Sequence, residues 1–123
     1  MQRESFSVRH LDDSEDIRTS WPLMRQLRPN QSDEMGYVQQ VKMLQQNTGY
    51  NLVGAFDPNG RLLGIAGFVF SAMLSRGSYL YVEDLVIDEG NRSQGVGGFL
   101  LSWLGSHARE QGCSSLHLDC SNH

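Results

Sequence analysis

A glycine-rich run, Arg92-Ser93-Gln94-Gly95-Val96-Gly97-Gly98, contains the residues of this sequence that are best suited to binding a charged ligand. It follows a predicted strand and opens a predicted helix. The first amide groups of a helix have no intrahelical partner, and glycine lets a ligand approach the bare backbone closely. A diphosphate can bind at such a helix start, and Arg92 can add a charge-assisted contact. We therefore predict an anion-binding loop here.

The spacing of the glycines distinguishes between kinds of phosphate-binding loop. A Walker loop ends in Gly-Lys followed by Ser or Thr, and this run contains no lysine. A dinucleotide fingerprint has glycines at its first, third and sixth places, which Gly95, Gly97 and Gly98 do not match. The remaining pattern is Arg or Gln, two residues, Gly, one residue, and Gly or Ala, directly after a strand. A glycine-rich helix start that serves packing alone is the structural alternative.

Two adjacent carboxylates, Glu83 and Asp84, interrupt the β-prone run Tyr79–Ile87 that precedes this loop. Side chains alternate between the faces of a strand, so we predict that the two carboxylates point to opposite faces and do not act as one dyad. One of them is then available for chemistry and the other for structure. A buried acceptor that is paired with an arginine or a backbone amide is the structural alternative for each.

Hydrophobic periodicity predicts the elements that come before these carboxylates. A short strand over Phe6–Arg9 is followed by acidic residues that suit a helix start. The next helix has either a kink at Pro22 or a late start at Ser20. A second helix runs from a cap near Ser32 to about Gln46. The predicted inner faces of the two helices are Ile17, Trp21, Met24 and Leu27, and then Met35, Val38, Val41 and Leu44.

The rest of the chain is predicted as a hairpin, a long strand, a helix and a last strand. The turn Asp57-Pro58-Asn59-Gly60 joins the hairpin strands Tyr50–Phe56 and Arg61–Phe70. A loop over Ser71–Ser78 leads to the strand Tyr79–Ile87. The final helix carries an apolar stripe, and the last strand alternates at Leu116, Leu118 and Cys120. The predicted stripe of the helix is Val96, Phe99, Leu100, Trp103, Leu104, His107 and Ala108.

Composition excludes several broad classes. The 123 residues, 39% of them hydrophobic, predict a single globular domain over residues 1–123. The net charge of −4 and the absence of a dense basic run argue against nucleic acid as a partner. No signal-like or membrane-spanning run is seen, so we expect a cytoplasmic protein with both Cys113 and Cys120 reduced. The His and Cys spacing near the C-terminus is too sparse for zinc, and no metal is predicted.

The glycine-rich run resembles motif A of the GNAT superfamily of N-acetyltransferases, which bind acetyl-CoA. The order βααβββαβ, the hairpin and the amphipathic helix after the run extend the resemblance over essentially the whole chain. Locally, Tyr81-Val82-Glu83-Asp84 with the later Arg92, and Cys113–His117, are similar to spermidine/spermine N-acetyltransferases. The resemblance implies an α/β (α+β) fold with a mixed, mostly antiparallel central sheet and helices on both faces.

The resemblance also implies a reaction, in which an acetyl group passes directly from acetyl-CoA to a primary amine of a small molecule or peptide. In the family, the fourth and fifth strands splay apart, and free backbone groups of the fourth pair with the pantetheine arm. Here those groups belong to Leu85, Val86 and Ile87. The diphosphate would bind at the helix start, without a metal. The residues implied there are Arg92, Ser93, Gln94, Gly95, Val96, Gly97 and Gly98.

Acetyl transfer to an amine needs a base and a donor for the developing oxyanion. The first choice for the base is Glu83, acting through a water molecule, and the second choice is Asp84. A strand amide near Leu85 or Val86 would polarise the thioester carbonyl. Tyr81 is expected to shape the acceptor pocket.

The sequence also departs from the family, whose full members continue past the fifth strand into another helix and further strands. That part usually carries a tyrosine that protonates the departing thiolate, so the general acid is not named here. The exposed edge of the fifth strand favours pairing with a second copy into a homodimer. Two alternatives stay open, namely a catalytically impaired GNAT-like module that binds CoA for regulation or assembly, and a purely structural α/β interaction domain.

Overall fold

The computed structural model of the chain describes residues 5–30, 33–91 and 94–118, which form five strands, four α-helices and a short 3-10 turn. The strands are β1 (Ser7–His10), β2 (Asn51–Phe56), β3 (Leu62–Met73), β4 (Gly77–Ile87) and β5 (Ser115–Leu118). The helices are α1 (Ser14–Thr19), α2 (Trp21–Leu27), α3 (Glu34–Asn47) and α4 (Val96–Glu110), and the 3-10 turn is Glu89–Asn91.

The strands form one mixed sheet whose spatial order equals the chain order, β1-β2-β3-β4-β5. Neighbours are antiparallel from β1 to β4, and β5 lies parallel to β4. The crossover through α4 explains the parallel pair, because a strand that returns after a helix runs in the same direction as the strand before it. The predicted mixed, mostly antiparallel sheet is confirmed.

Each face of the sheet carries its own apolar core. On one face, α1, α2 and α3 bury Ile17, Met24 and Val41 against strand residues such as Leu52 and Ile65. On the other face, α4 packs through its predicted stripe. The buried members of that stripe are Val96, Leu100, Leu104 and Ala108, and their sheet partners include Phe68, Leu80 and Val82. Helices therefore cover both faces, as predicted.

The first predicted helix is in fact two short helices. Asp13 caps α1, and its side chain accepts a hydrogen bond of 2.8 Å from the backbone amide of Asp16. The helical run is interrupted at Ser20. Pro22 lies in the first turn of α2, where its missing amide proton costs no hydrogen bond. The element order thus has three helices before β2, where the sequence predicted two.

Two further predictions are corrected by the structure. Met35 is 71% exposed and does not belong to the inner face of α3, where Tyr37 is buried instead. The predicted loop over Ser71–Ser78 is mostly strand, since β3 extends to Met73 and β4 begins at Gly77. The two strands therefore form a long hairpin with a tight turn.

In the described part of the chain, none of the helices combines the length and apolar character needed to span a bilayer.

His107 belongs to an aromatic cluster between α4 and the sheet. Its ring stacks on Trp103 with 4.7 Å between centroids, and the rings of Phe68, Phe70 and His10 lie at 5.9, 5.8 and 6.2 Å. Burial lowers the pKa of His107, the nearby His10 lowers it further, and Glu110 acts in the opposite direction.

We expect the protein to lose stability as the pH falls through about 6.5, the ordinary pKa of histidine. The unfolded chain takes up a proton on His107 at that pH, whereas the folded chain resists until the pH is lower, so protonation favours unfolding. Urea titrations between pH 7.5 and 5.5 measure this loss. His107→Phe keeps an aromatic ring that cannot take up a proton. The urea midpoint of this variant should depend less on pH. An identical pH dependence in the variant would contradict the assignment to His107.

Candidate active site

A β-bulge in β4 lies at the centre of the candidate site. The pairing between β3 and β4 matches Gly67 with Asp84 and Phe68 with Val82, so Glu83 has no partner of its own. The extra residue shifts the alternation of side chains beyond it. Val82 packs on the α4 face of the sheet, whereas Asp84 faces α2.

The prediction that Glu83 and Asp84 point to opposite faces is therefore wrong. Both line one groove of about 180 Å³ between β4 and the helices α2 and α3, which we call the helix groove. Strict alternation holds only in a regular strand, and the bulge removes it at this point. The residues of the helix groove are Met24, Arg28, Tyr37, Gln40, Val41, Leu44, Tyr50, Glu83 and Asp84.

Asp84 is buried, and both of its carboxylate oxygens are bonded. Arg28 donates to Oδ1 from Nε at 2.8 Å and forms an ion pair from Nη2 at 2.6 Å. The hydroxyl of Tyr50 donates to Oδ2 at 2.7 Å. Arg28 also donates to the backbone carbonyl of Glu83 at 3.4 Å. Asp84 thus ties α2 and β2 to the bulge, which is the structural role expected of a buried, paired carboxylate.

The contact between Tyr50 and Asp84 depends on a glycine between them. Tyr50 precedes β2 and Asp84 lies on β4, so the Tyr50 side chain must cross β3 to reach the carboxylate. It does so directly over Gly67, where an added Cβ would lie 1.8 Å from the Tyr50 hydroxyl oxygen. A glycine inside a strand often marks such a close approach, and here it makes room for the hydrogen bond.

Glu83 differs from its neighbour because it is exposed to solvent. Partial burial of the carboxyl raises its pKa above 4.5, the negative charge of Asp84 raises it further, and Arg28 partly opposes this. A carboxylate with a raised pKa is a stronger base when it is ionised. Of the two predicted carboxylates, Glu83 is the one that a ligand in the helix groove can reach.

The predicted anion-binding loop ends in an open helix start. Gly95 adopts a left-handed conformation with φ of 87° immediately before α4, and no described side chain caps that helix. An added Cβ at Gly98 would meet nothing within 4 Å, so the space beside this residue is open. Arg92 and Ser93 lie outside the described residues, and the geometry of this loop is known from Gln94 onward.

The edge of β4 toward β5 has a paired part and a further part. Over the described residues, β4 pairs with β5 from Tyr79 to Val82, opposite Ser115 to Leu118. Beyond the bulge, the predicted ligand-binding residues Leu85, Val86 and Ile87 pair with β3 on their other edge. Val86 is buried, and its two neighbours are partly buried. Their backbone thus lies between the bulge and the start of α4.

Tyr81 lines a second groove, of about 510 Å³, formed by the β3–β4 hairpin and β5. We call it the hairpin groove. Tyr81 is partly buried and lies two positions before Glu83 on β4. The predicted acceptor residue is thus next to the bulge but opens into a different groove from Glu83.

A comparison with protein families gives this arrangement its name. Residues 13–123 match the model of the acetyltransferase (GNAT) family. The chain belongs to the GNAT acetyltransferase family. An uncharacterised N-acetyltransferase of Bacillus subtilis, YhdJ, is 27% identical over 111 residues, which cover 90% of this chain and 77% of the relative.

The chain is also similar to a second relative in sequence and to a solved structure. A glucosamine 6-phosphate N-acetyltransferase of Trypanosoma brucei brucei is 33% identical over 67 residues, 53% of this chain and 46% of that protein. The crystal structure of a GNAT family acetyltransferase from Staphylococcus aureus has a TM-score of 0.83 and 20% identity, and the match covers 96% of this chain and 88% of that one. The latter match shows the shared GNAT fold.

The sequence analysis does not identify several residues of this candidate site. Arg28 lies between the two predicted helices and is not a predicted site residue, and Tyr50 is predicted only as the first residue of a hairpin strand. Both contact Asp84, which joins them to the bulge. Gly67 inside a β-prone run was an available signal, because glycine there points to a bulge or a close approach. It does not reveal which side chain approaches.

Proposed function

We propose that this protein transfers an acetyl group from acetyl-CoA to the primary amine of a small molecule. The observation that carries the proposal is the open helix start at Gly95, placed on the same strand–loop–helix unit as the reachable carboxylate of Glu83. The bulge in β4 would thus supply a base, and the start of α4 an anion site. The glucosamine 6-phosphate N-acetyltransferase among the relatives supports a small amine as acceptor.

The residues of the loop fit the diphosphate of a CoA thioester. The amides of Val96, Gly97 and Gly98 are at the positive end of the α4 dipole and have no partner within the helix. The left-handed Gly95 turns the chain so that the helix begins there, and no Cβ shields Gly98. Acetyl-CoA supplies the acetyl thioester when bound. The backbone of Leu85 to Ile87 would hold its pantetheine arm.

Glu83 would act on the acceptor. An amine is mostly protonated at neutral pH and must lose a proton before its nitrogen can attack a thioester carbonyl. The Glu83 carboxylate takes that proton through a water molecule, and its raised pKa strengthens it for this task. An amide of Leu85 or Val86 would donate to the carbonyl oxygen as negative charge develops there. The N–C bond forms, the C–S bond of the thioester breaks, and the departing CoA thiolate takes up a proton from water.

Asp84 is a positioning residue in this proposal and is not the base, for which it was the second choice from the sequence. Its oxygens are occupied by Arg28 and Tyr50, and it is buried. It holds the bulge in place, and its charge keeps the pKa of Glu83 raised.

The proposal is tested with a panel of primary amines and acetyl-CoA, with release of free thiol as the signal. The panel contains an amino sugar, its 6-phosphate, an amino acid, spermidine and a short peptide. Thiol release that depends on one of these amines supports the proposal. Binding of acetyl-CoA in calorimetry without turnover of any amine would instead favour a CoA-binding module, and absence of binding would leave a structural domain.

Gly98→Glu should block the proposed diphosphate site. The third residue of a helix can fold its side chain back onto the amides of the helix start, as in a capping box. Gly98→Glu therefore places a carboxylate where the diphosphate would bind, and we expect roughly tenfold weaker binding of acetyl-CoA or more. Isothermal titration measures the binding.

Gly98→Gln is the matched control, because it has the same shape without the charge. Both variants should unfold at or above the wild-type temperature, since glycine disfavours a helix interior. Equal affinity of Gly98→Glu and Gly98→Gln for acetyl-CoA would contradict a diphosphate site at this helix start.

A further inference from the structure

The hairpin groove has a chemical character of its own. It is bounded by the β3–β4 turn, the first half of β4 and β5. Its polar side chains are Ser75, Arg76, Tyr79, Tyr81 and His117, and none of the described residues lining it carries a carboxylate. Over the residues that the structure describes, the groove thus has an arginine and no carboxylate, a lining that attracts anions.

Arg76 supplies the positive charge of the hairpin groove. It is exposed, and over residues 5–30, 33–91 and 94–118 no carboxylate lies within ion-pairing distance of its guanidinium. Arg28 is different, because Asp84 neutralises it. The planar guanidinium binds a phosphate or a carboxylate through two parallel hydrogen bonds.

The backbone that carries Arg76 is fixed against the neighbouring strand. The hydroxyl of Ser114 donates to the carbonyl of Arg76 at 2.7 Å and to that of Ser78 at 3.1 Å. The amide of Ser114 also donates to the carbonyl of Ser78, at 2.8 Å. The turn is thus held to the residue just before β5, so Arg76 starts from a defined position. A fixed start lowers the entropy lost when its side chain binds a ligand.

His117 holds the side chain of Arg76 in the groove. Arg76 Nη1 lies 3.3 Å from His117 Nε2, and the Ser115 hydroxyl lies 3.1 Å from the same nitrogen. A guanidinium can only donate, so Nε2 is the acceptor and Nδ1 carries the ring proton. The ring also packs edge-on against Tyr79, with 5.0 Å between centroids, which fixes its plane. His117 is thus fixed beside Arg76 in the wall of the hairpin groove.

The hairpin groove lies next to the proposed base. Tyr81 lines it, and Glu83 follows two residues later on the same strand, about 7 Å away along β4. A ligand whose amine reaches Glu83 can therefore place a group several bonds away in the hairpin groove. The acceptor's own length decides whether both ends are held at once.

From this geometry we infer that the acceptor is an amine that carries an anionic group, phosphate or carboxylate, several bonds from its nitrogen. Arg76, with His117 fixed beside it, binds that anionic group in the hairpin groove, while the nitrogen lies at Glu83. The inference rests on the proposed function, which it makes more specific. It also disfavours polyamines as acceptors, because Arg76 would repel a second ammonium group.

Matched pairs of acceptors test the inference. One pair is glucosamine and glucosamine 6-phosphate, and a second pair is hexylamine and 6-aminohexanoate. We expect kcat/KM for the anionic member of at least one pair to exceed that of its neutral partner by about tenfold or more, the usual gain from a charge-assisted contact. The first pair reports on phosphate and the second on carboxylate. Equal values within both pairs would overturn the inference.

Arg76→Gln removes the charge and keeps a polar side chain. The variant should lose about tenfold in kcat/KM for the preferred anionic amine and keep the wild-type value for its neutral partner. Arg109→Gln is the control, since Arg109 is exposed on the last turn of α4 and does not line the hairpin groove. An unchanged preference in Arg76→Gln would refute the role of Arg76.

A binding measurement separates failure of this inference from failure of the proposed function. Glucosamine 6-phosphate and 6-aminohexanoate are titrated into the protein without acetyl-CoA, and chemical shifts of backbone amides report binding. Shifts at Tyr79 and His117 that vanish in Arg76→Gln support the anionic site even if no amine is acetylated. Acetylation of amines without such shifts and without charge preference would leave the proposed function in place and overturn the hairpin-groove site.

Discussion

Replacing Glu83 by glutamine is expected to lower kcat for acetyl transfer by about 100-fold or more, the usual contribution of a general base. Glutamine has the same shape as glutamate but cannot take up the proton of the amine. Because Glu83 is exposed and does not hold the fold together, the unfolding temperature should stay near that of the wild type. The affinity for acetyl-CoA should also be unchanged. Stopped assays of thiol release and calorimetry measure these quantities.

The pH profile gives a second measure of the same role. Glu83 acts as a base only when ionised, so kcat/KM of the wild type should rise with pH through the raised pKa of this carboxyl. Glu83→Gln should lack that acid limb. Glu110→Gln, an exposed glutamate on the last turn of α4, serves as control and should keep the full rate. A kcat of Glu83→Gln within twofold of the wild type would remove Glu83 from the mechanism.

Gly67→Ala is expected to destabilise the protein by about 2–4 kcal/mol, through overpacking and through loss of a buried hydrogen bond. The new Cβ would overlap the Tyr50 hydroxyl, whose position 1.8 Å away leaves no room for it. Tyr50 must then move away from Asp84, which leaves a buried carboxylate oxygen without its donor. Urea denaturation measures the loss, which corresponds to a fall in unfolding temperature of roughly 10 °C.

Two control variants are compared with Gly67→Ala for their change in the free energy of unfolding. Tyr50→Phe removes the hydrogen bond and keeps the ring, so its cost should be the smaller one, about 1–2 kcal/mol. Gly105→Ala on α4 adds the same methyl group in open space and should stabilise the helix slightly. Should Gly67→Ala be as stable as the wild type, the crossing of Tyr50 over β3 would be refuted.

The fold could be predicted from the sequence wherever a periodic apolar pattern was long. The stripe of α4 and the hairpin of β2 and β3 are of this kind, and both were confirmed. The boundaries failed where a single residue decides them. Ser20 separates α1 from α2, which were predicted as one helix. Near Arg76, a tight turn joins β3 and β4, where the sequence predicted a longer loop.

The site was less predictable than the fold. Glu83 and Asp84 stand out in the sequence as adjacent carboxylates in a strand, but their common orientation results from a bulge that the sequence of β4 itself does not indicate. The partners of Asp84 come from distant parts of the chain, Arg28 after α2 and Tyr50 before β2. Contacts of this range depend on the packed sheet, and a single sequence does not contain them.

The bond that passes over Gly67 also restricts how this protein can diverge. Three positions that lie far apart in the chain form one unit, namely Tyr50, Gly67 and Asp84. The hydroxyl of Tyr50 bonds the carboxylate of Asp84 only because Gly67 has no side chain between them. Changing any one of them leaves the other two mismatched, so an evolutionary path between this arrangement and an apolar one has to cross less stable intermediates. In a directed-evolution library, we expect these three codons to be replaced as a set or retained as a set.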